Sequence, residues 1–351
     1  MDEAGTSGSE RVRESFGRQA ASCRSLGSPF TAAICDLLAE RLDGSGRFGR
    51  RVLDWAGDPQ ADALALRAAG GLHALARSGR CPPLSAVDPP HAREGEDLWR
   101  GLAAALRDHD AFLHDYLDSP PQTNEVKRCG ALLGGCLLVA AETRLPLRFL
   151  EIGSSAGLNL GFDRYRYELG EGRSWGDRGS GVVVRCEWRG AAPSLKTPLA
   201  VADRAGSDPS PLDPSSPPDR ERLLSYVWAD EAERLDTTEK ALDAAAAAPW
   251  RVERADGASF VEQRLGEDAK GRARVLAHTI VWRYLPEEIK ARIEGAVRAA
   301  GERATADAPV AWLRVEGDGG GDADVSLTLW PGGDDRALGR ADVHGRWVHW
   351  A

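Results

Sequence analysis

The chain has 351 residues, 42% hydrophobic and 28% charged, the balance of a soluble globular protein with one large domain or two ordinary ones. A net charge of −9 argues against wholesale binding to nucleic-acid phosphates. No run of about 18 apolar residues is present to span a membrane, and the polar start "MDEAGTSGSERVRESF" lacks a signal-peptide core, which places the chain in the cytoplasm.

Residues 1–9 read as a disordered leader, and residues 10–144 as a helical module. In "FTAAICDLLAERL", Phe30, Ile34, Leu37 and Leu38 share one helical face, and Leu64, Leu66, Leu72 and Leu75 do the same in the next segment. Together with "EDLWRGLAAALRDHDAFLHDYL", and with breaks such as "CPPLSAVDPP", the pattern predicts four to six helices before Leu117. A further helix is expected from Glu125 to about Glu142. The six cysteines are scattered, with no C-x-x-C pair to suggest zinc or redox chemistry. The histidines show no metal spacing, so no metal site is expected.

From Phe149 the texture changes, and residues 145–351 read as an α/β domain. Candidate strands are 148–152, 182–188, 198–206, 250–257, 273–281, 309–317, 324–332 and 345–350, with helical stretches at 156–165, 218–247, 258–266 and 286–301. This alternation predicts a parallel sheet covered by helices, closed by an antiparallel pair formed by the last two strands. Residues 165–188 read as an inserted hairpin, and the Pro-rich segment 206–221 as a surface loop or lid.

Ligands of open α/β sheets sit beyond the carboxyl ends of the strands. The first strand ends in "LEIGSSAGLNL", where Glu151 interrupts an apolar run and Gly153, Ser155 and Gly157 form a turn. A helix beginning after this turn would offer unpaired N–H groups to an anion. Asp208 follows the next parallel strand, where its carboxylate can accept hydrogen bonds from a ribose diol, and Asp256 follows the one after. Acids at successive strand ends favour a nucleoside with a cationic or zwitterionic tail over a pyrophosphate.

This order resembles the class I S-adenosylmethionine-dependent methyltransferases, and more narrowly an uncharacterised bacterial family, DUF2332, through "PQTNEVKRCGALL", "LEIGSSAGLNL", "DRAGSDPSPLD" and "HTIVWRYLPEE". The resemblance implies a Rossmann-like, seven-stranded methyltransferase-type sheet. It also implies S-adenosylmethionine as cofactor, held by Glu151, Gly153, Ser155 and Gly157, with Asp208 on the ribose and Asp256 on the adenine. Ser155 stands where the methyltransferase loop has its middle glycine. The gap from Gly157 to Asp208 exceeds the roughly 20 residues of the simple dinucleotide fold, which the inserted hairpin accounts for.

Other candidates surround this turn. Asn124 and Glu125 form either a helix cap or a pocket wall. His278 is the candidate base, since imidazole is a side chain suited to proton abstraction near neutral pH. Tyr284 is a second catalytic candidate; Trp282 and Tyr284 also suit a pocket wall, and Trp228 a lid or a helix anchor. The leading expectation is a methyltransferase acting on a small-molecule acceptor rather than a nucleic acid. Its alternatives are a non-catalytic nucleoside- or partner-binding protein and an NAD(P)-dependent oxidoreductase. No motif specifies an oligomeric state.

Overall fold

The computed structural model describes residues 8–317 and 321–351. The expected leader lies outside the described residues at 1–7, but its last two positions, Gly8 and Ser9, already belong to the helix Gly8–Leu26. The chain forms two compact units, one of residues 1–123 with 217–236, the other of residues 124–216 with 237–351.

The first unit is helical. Up to Tyr116 it contains Gly8–Leu26, Pro29–Arg41, Arg47–Leu53, Leu64–Arg77, Pro82–Ser85, Gly95–Asp108 and Asp110–Tyr116, seven helices rather than four to six. The excess comes from short pieces such as Pro82–Ser85 and Asp110–Tyr116, whose one or two turns show no long apolar period. Their core is built from Phe16, Leu38, Leu72, Leu75 and Leu102, each nearly inaccessible to water. The stretch 217–236 completes this core. The Tyr226 ring leaves no room for a Cβ at Gly70, and the Asp230 carboxylate accepts the Phe30 N–H at 2.9 Å to cap Pro29–Arg41.

The second unit is mixed α/β. Its strands are β1 (Leu147–Ile152), β2 (Arg166–Glu168), β3 (Ser174–Trp175), β4 (Val183–Arg185), β5 (Glu187–Gly190), β6 (Val201–Asp208), β7 (Val252–Arg254), β8 (Ala273–Thr279), β9 (Val310–Glu316), β10 (Asp322–Trp330), β11 (Asp334–Asp342) and β12 (Trp347–Trp350). Nine of them form one mostly parallel sheet in the order β5–β12–β11–β10–β9–β8–β1–β6–β7, and β3–β2–β4 form a small second sheet. Seven strands were expected. The additional ones come from β11, whose polar sequence "DDRALGRAD" hides it, and from β5, which the apolar run 182–188 joined to β4.

The antiparallel edge also differs. The last strand, β12, pairs with β11 rather than with β10, and the edge itself is β5, parallel to β12. Strand side chains alternate between faces. On β9, Trp312 joins the core under helices Gly257–Gly266 and Glu287–Glu302. Its neighbour Leu313 points the other way, towards Gly135 of helix Cys129–Thr143. The sheet is therefore covered on both faces, which is why β1 and β8 are buried along their whole length, charged Arg148, Glu151 and Arg274 included.

Candidate functional site

Five adjacent parallel strands lie in the order β7–β6–β1–β8–β9. In chain order the strands run from β1 outward to β6 and β7, and then resume on the other side of β1 with β8 and β9. The direction reverses between β1 and β8, and ligands of doubly wound sheets bind outside the carboxyl ends at such a reversal. Two turns meet there: 153–157 after β1, and 280–284 after β8. They are in tight contact, since a Cβ on Gly153 would lie 2.6 Å from Val281 Cγ2.

The first turn is left-handed at alternate residues, with φ of 69° at Gly153, 52° at Ser155 and 74° at Gly157. For Ser155 this conformation costs about 1–3 kcal/mol. Asp208 sustains it, accepting the Ser155 N–H at 3.0 Å and the Ser210 N–H at 2.8 Å. Asn124 Oδ1 accepts the Leu158 N–H at 3.0 Å, and Ser154 Oγ donates to the Glu151 carbonyl at 2.9 Å. The helix expected at 156–165 is absent. A six-residue 3-10 helix, Asn159–Arg164, takes its place, so no α-helix N-terminus faces the turn. The amides of Ser155 and Leu158, at the turn where unpaired N–H groups were expected, are already taken by side chains.

Glu151 is 1% exposed. Its Oε1 accepts the Asn159 amide N–H at 2.9 Å, while Oε2 has no partner among the described residues. Asn159 Oδ1 in turn accepts the Cys129 thiol at 3.2 Å. Burial pushes the Glu151 carboxyl up to about 7, against the Asn159 and Ser154 hydrogen bonds that lower it. Ser155 Oγ and Ser207 Oγ are likewise buried without partners. An unpaired buried acceptor costs about 1–3 kcal/mol, so the turn concentrates polar capacity that the fold leaves unused. Asn159, which engages Glu151, and Ser207, brought beside the turn by β6, are additions that the sequence pattern did not single out.

The second turn follows His278, which is 1% exposed. Its Nδ1 lies 2.6 Å from Glu316 Oε1, and its Nε2 accepts the Trp312 indole N–H at 3.1 Å. Indole only donates, so Nε2 carries no proton and Nδ1–H donates to Glu316. Trp282 stacks on the ring at 5.0 Å and 16°. With both nitrogens committed, His278 is built as a structural anchor rather than an available base. The other catalytic candidate, Tyr284, is 68% exposed, with the Arg283 guanidinium 5.1 Å from its ring.

The remaining candidates are placed as follows. Asp256 caps helix Gly257–Gly266 by accepting the Ser259 N–H at 3.0 Å, a bond that lowers its pKa. The Glu125 carboxylate accepts the Lys127 N–H at 3.1 Å, a cap on the short turn 126–128. Trp228 belongs to the helical unit, where it packs against that unit's own core with Arg234 5.9 Å from its ring.

Open space lies beside the turn. A cavity of about 170 Å³ is lined by Ala156, the loop 211–214, Ala245 and residues 250–252. Trp250 also lines a second cavity of about 290 Å³, together with Arg164, Tyr165, Ser180 and Lys240. The guanidiniums of Arg164 and Arg204 lie 4.7 and 4.8 Å from the Trp250 ring, a cationic surround on a pocket wall. None of the residues singled out from the sequence lines either cavity. The loop 209–216 is docked on the turn, with the Leu212 N–H donating to the Ser155 carbonyl at 3.3 Å.

Among the described residues, no group of three or more His, Cys, Asp or Glu side chains is arranged to hold a metal ion, and no helix is long and apolar enough to cross a membrane. A family model described as an uncharacterized protein conserved in bacteria, DUF2332, matches residues 13–350. No curated protein and no solved structure matches the chain.

Proposed function

The chain belongs to the DUF2332 family, whose description carries no activity, and we propose from the chemistry of its own site that it is an S-adenosylmethionine-dependent methyltransferase acting on a small-molecule acceptor. The observation that carries this reading is the buried, half-satisfied Glu151 carboxylate at the strand-order reversal, with Asp208 and Asp256 closing the next two strands. A sulfonium ligand with an ammonium-bearing tail gains from acids at that position; a pyrophosphate is repelled. The commitment of the Ser155 and Leu158 amides further disfavours phosphate binding, and with it the NAD(P)-dependent reading.

Methyl transfer needs in-line approach of an acceptor nucleophile, so positioning is the main contribution of the protein. A base is required only for acceptors that must lose a proton of high pKa. That requirement is consistent with a site whose histidine is committed elsewhere. The same commitment favours a second reading, a non-catalytic protein that keeps the fold and binds a nucleoside. At about 170 Å³ the cavity beside Ala156 is smaller than the roughly 300–1,000 Å³ of ligand pockets. A whole nucleoside therefore requires the loop 209–216 to move, breaking the Leu212–Ser155 hydrogen bond.

Calorimetric titration with S-adenosylmethionine, its demethylated product, adenosine and NAD tests the proposal. S-adenosylmethionine should bind, NAD should not, and Glu151→Gln should weaken S-adenosylmethionine more than adenosine. Equal losses for both would remove Glu151 from the tail site. Binding of adenosine with no preference for the sulfonium would support the non-catalytic reading.

A further inference from the structure

The turn after β8 is held by more hydrogen bonds than a connecting loop needs. Ile280 adopts φ of 51°, a left-handed conformation that is an outlier for a β-branched residue. Such a residue persists only where its surroundings over-determine it. The Ile280 N–H is fixed by the Val315 carbonyl at 2.9 Å. The next two amides converge on one side chain: Val281 N–H lies 3.1 Å from both Glu316 oxygens, and Trp282 N–H lies 3.2 Å from Oε2. The His278 Nδ1–H is the third donor to the same carboxylate.

Strand register explains how Glu316 reaches them. Thr279 and Val315 are paired across β8 and β9, so Glu316 stands one residue beyond, level with the departing turn. The result is a clamp in which one carboxylate sets the direction of the chain as it leaves β8. What it aims is Val281, whose methyl group fills the space beside Gly153.

We propose that Glu316 is a positioning residue for the ligand site: by holding the 280–284 turn in its strained form, it presses Val281 onto Gly153 and makes the β8 turn the second wall of the crevice. This inference rests on the reading of that crevice as the ligand site. His278 acts through Glu316, locked by Trp312 in the tautomer that donates to it. Ile280 stores the conformational tension that the clamp retains.

A glutamine at 316 keeps one carbonyl acceptor but turns an NH₂ towards a set of donors, so it cannot reproduce the arrangement. An aspartate keeps the charge on a shorter stem. In the full-length protein, nitrogen-15 NMR should show the wild-type His278 ring as the Nδ1–H tautomer. Glu316→Gln should lose that signature and shift the amide resonances of both Val281 and Gly153–Gly157, and S-adenosylmethionine affinity should fall by roughly two- to thirtyfold. Glu316→Asp should recover part of each effect, and it serves as the working variant if Glu316→Gln does not fold. Unmoved 153–157 resonances in both variants would overturn the proposal, as would unchanged affinity. If the wild type does not bind S-adenosylmethionine while the 153–157 resonances still move, the clamp stands and the methyltransferase reading falls.

Discussion

Glu151 brings burial and charge into direct conflict. Its carboxyl titrates near 7 in the folded protein because burial disfavours the ion, against about 4.5 when exposed. Between those values the folded state holds a proton that the unfolded state has released. Stability therefore falls as pH rises through that window, by on the order of 3 kcal/mol, and levels off above it. A glutamine at 151 carries no charge at any pH. Glu151→Gln should match the wild type in melting temperature near pH 5 and exceed it near pH 8, read from thermal melts across that range. Parallel curves for the two proteins would mean that the buried charge is compensated in the fold. The ionised form that lowers stability is the same form that attracts a cation, so ligand affinity and unliganded stability should move in opposite directions with pH.

At the level of elements, Asp208 ties the end of β6 to the turn after β1. Read from sequence, it is a loop acid whose loss should barely affect the unliganded protein. With its carboxylate on the Ser155 and Ser210 amides, Asp208→Ala should instead destabilise the unliganded protein by about 1.5–3 kcal/mol, measurable as a lower denaturant midpoint at unchanged slope. An unchanged midpoint would show that Ser155 holds its left-handed backbone without this support. The strands that were legible in the sequence are those buried on both faces: β1 and β8 are mostly apolar because they lie between two layers of helices, and the charged residues they carry there are each held by partners or, like Glu151, only half satisfied. Strand β11 was not legible, since it opens on the polar run Asp334, Asp335 and Arg336 and has no apolar alternation, and its partners lie on either side in space. The stretch 156–165 was expected to be helical, yet the chain takes a tighter 3-10 path over Asn159–Arg164. The acids at the strand ends could be placed from the order of elements alone. The groups that engage them, Asn159 for Glu151 and the Ser155 amide for Asp208, are set by how the chain folds back on itself.

For the whole molecule, the division into units matters more than the boundary near Phe149. The sequence texture places one helical block before the sheet. The structure instead draws 217–236 into the helical unit and seats helix Cys129–Thr143 against the sheet. The reason lies in side chains rather than in periodicity: Tyr226 fills the space over Gly70, His73 Nδ1 lies 3.2 Å from the Ser225 carbonyl, and Asp230 caps Pro29–Arg41. A fragment of residues 1–123 should accordingly lack a cooperative thermal transition, and the same fragment with 217–236 fused through a flexible linker should regain one, as followed by circular dichroism. A cooperative transition in the shorter fragment would show that the second segment only decorates the core.

That discontinuity has a consequence for how the protein is made. A ribosome adds roughly 5–20 residues per second, and 94 positions separate residue 123 from residue 217. The first seven helices therefore emerge about five to twenty seconds before the segment that covers them, with Gly70 awaiting the Tyr226 ring and the core of Leu72 and Leu75 awaiting Trp228 and Ala229. During that interval the nascent chain carries an open apolar seam, and the sheet's first strand is synthesised while it stays open. A molecule with this order of assembly should depend on holdase chaperones during translation more than its finished stability would lead one to expect.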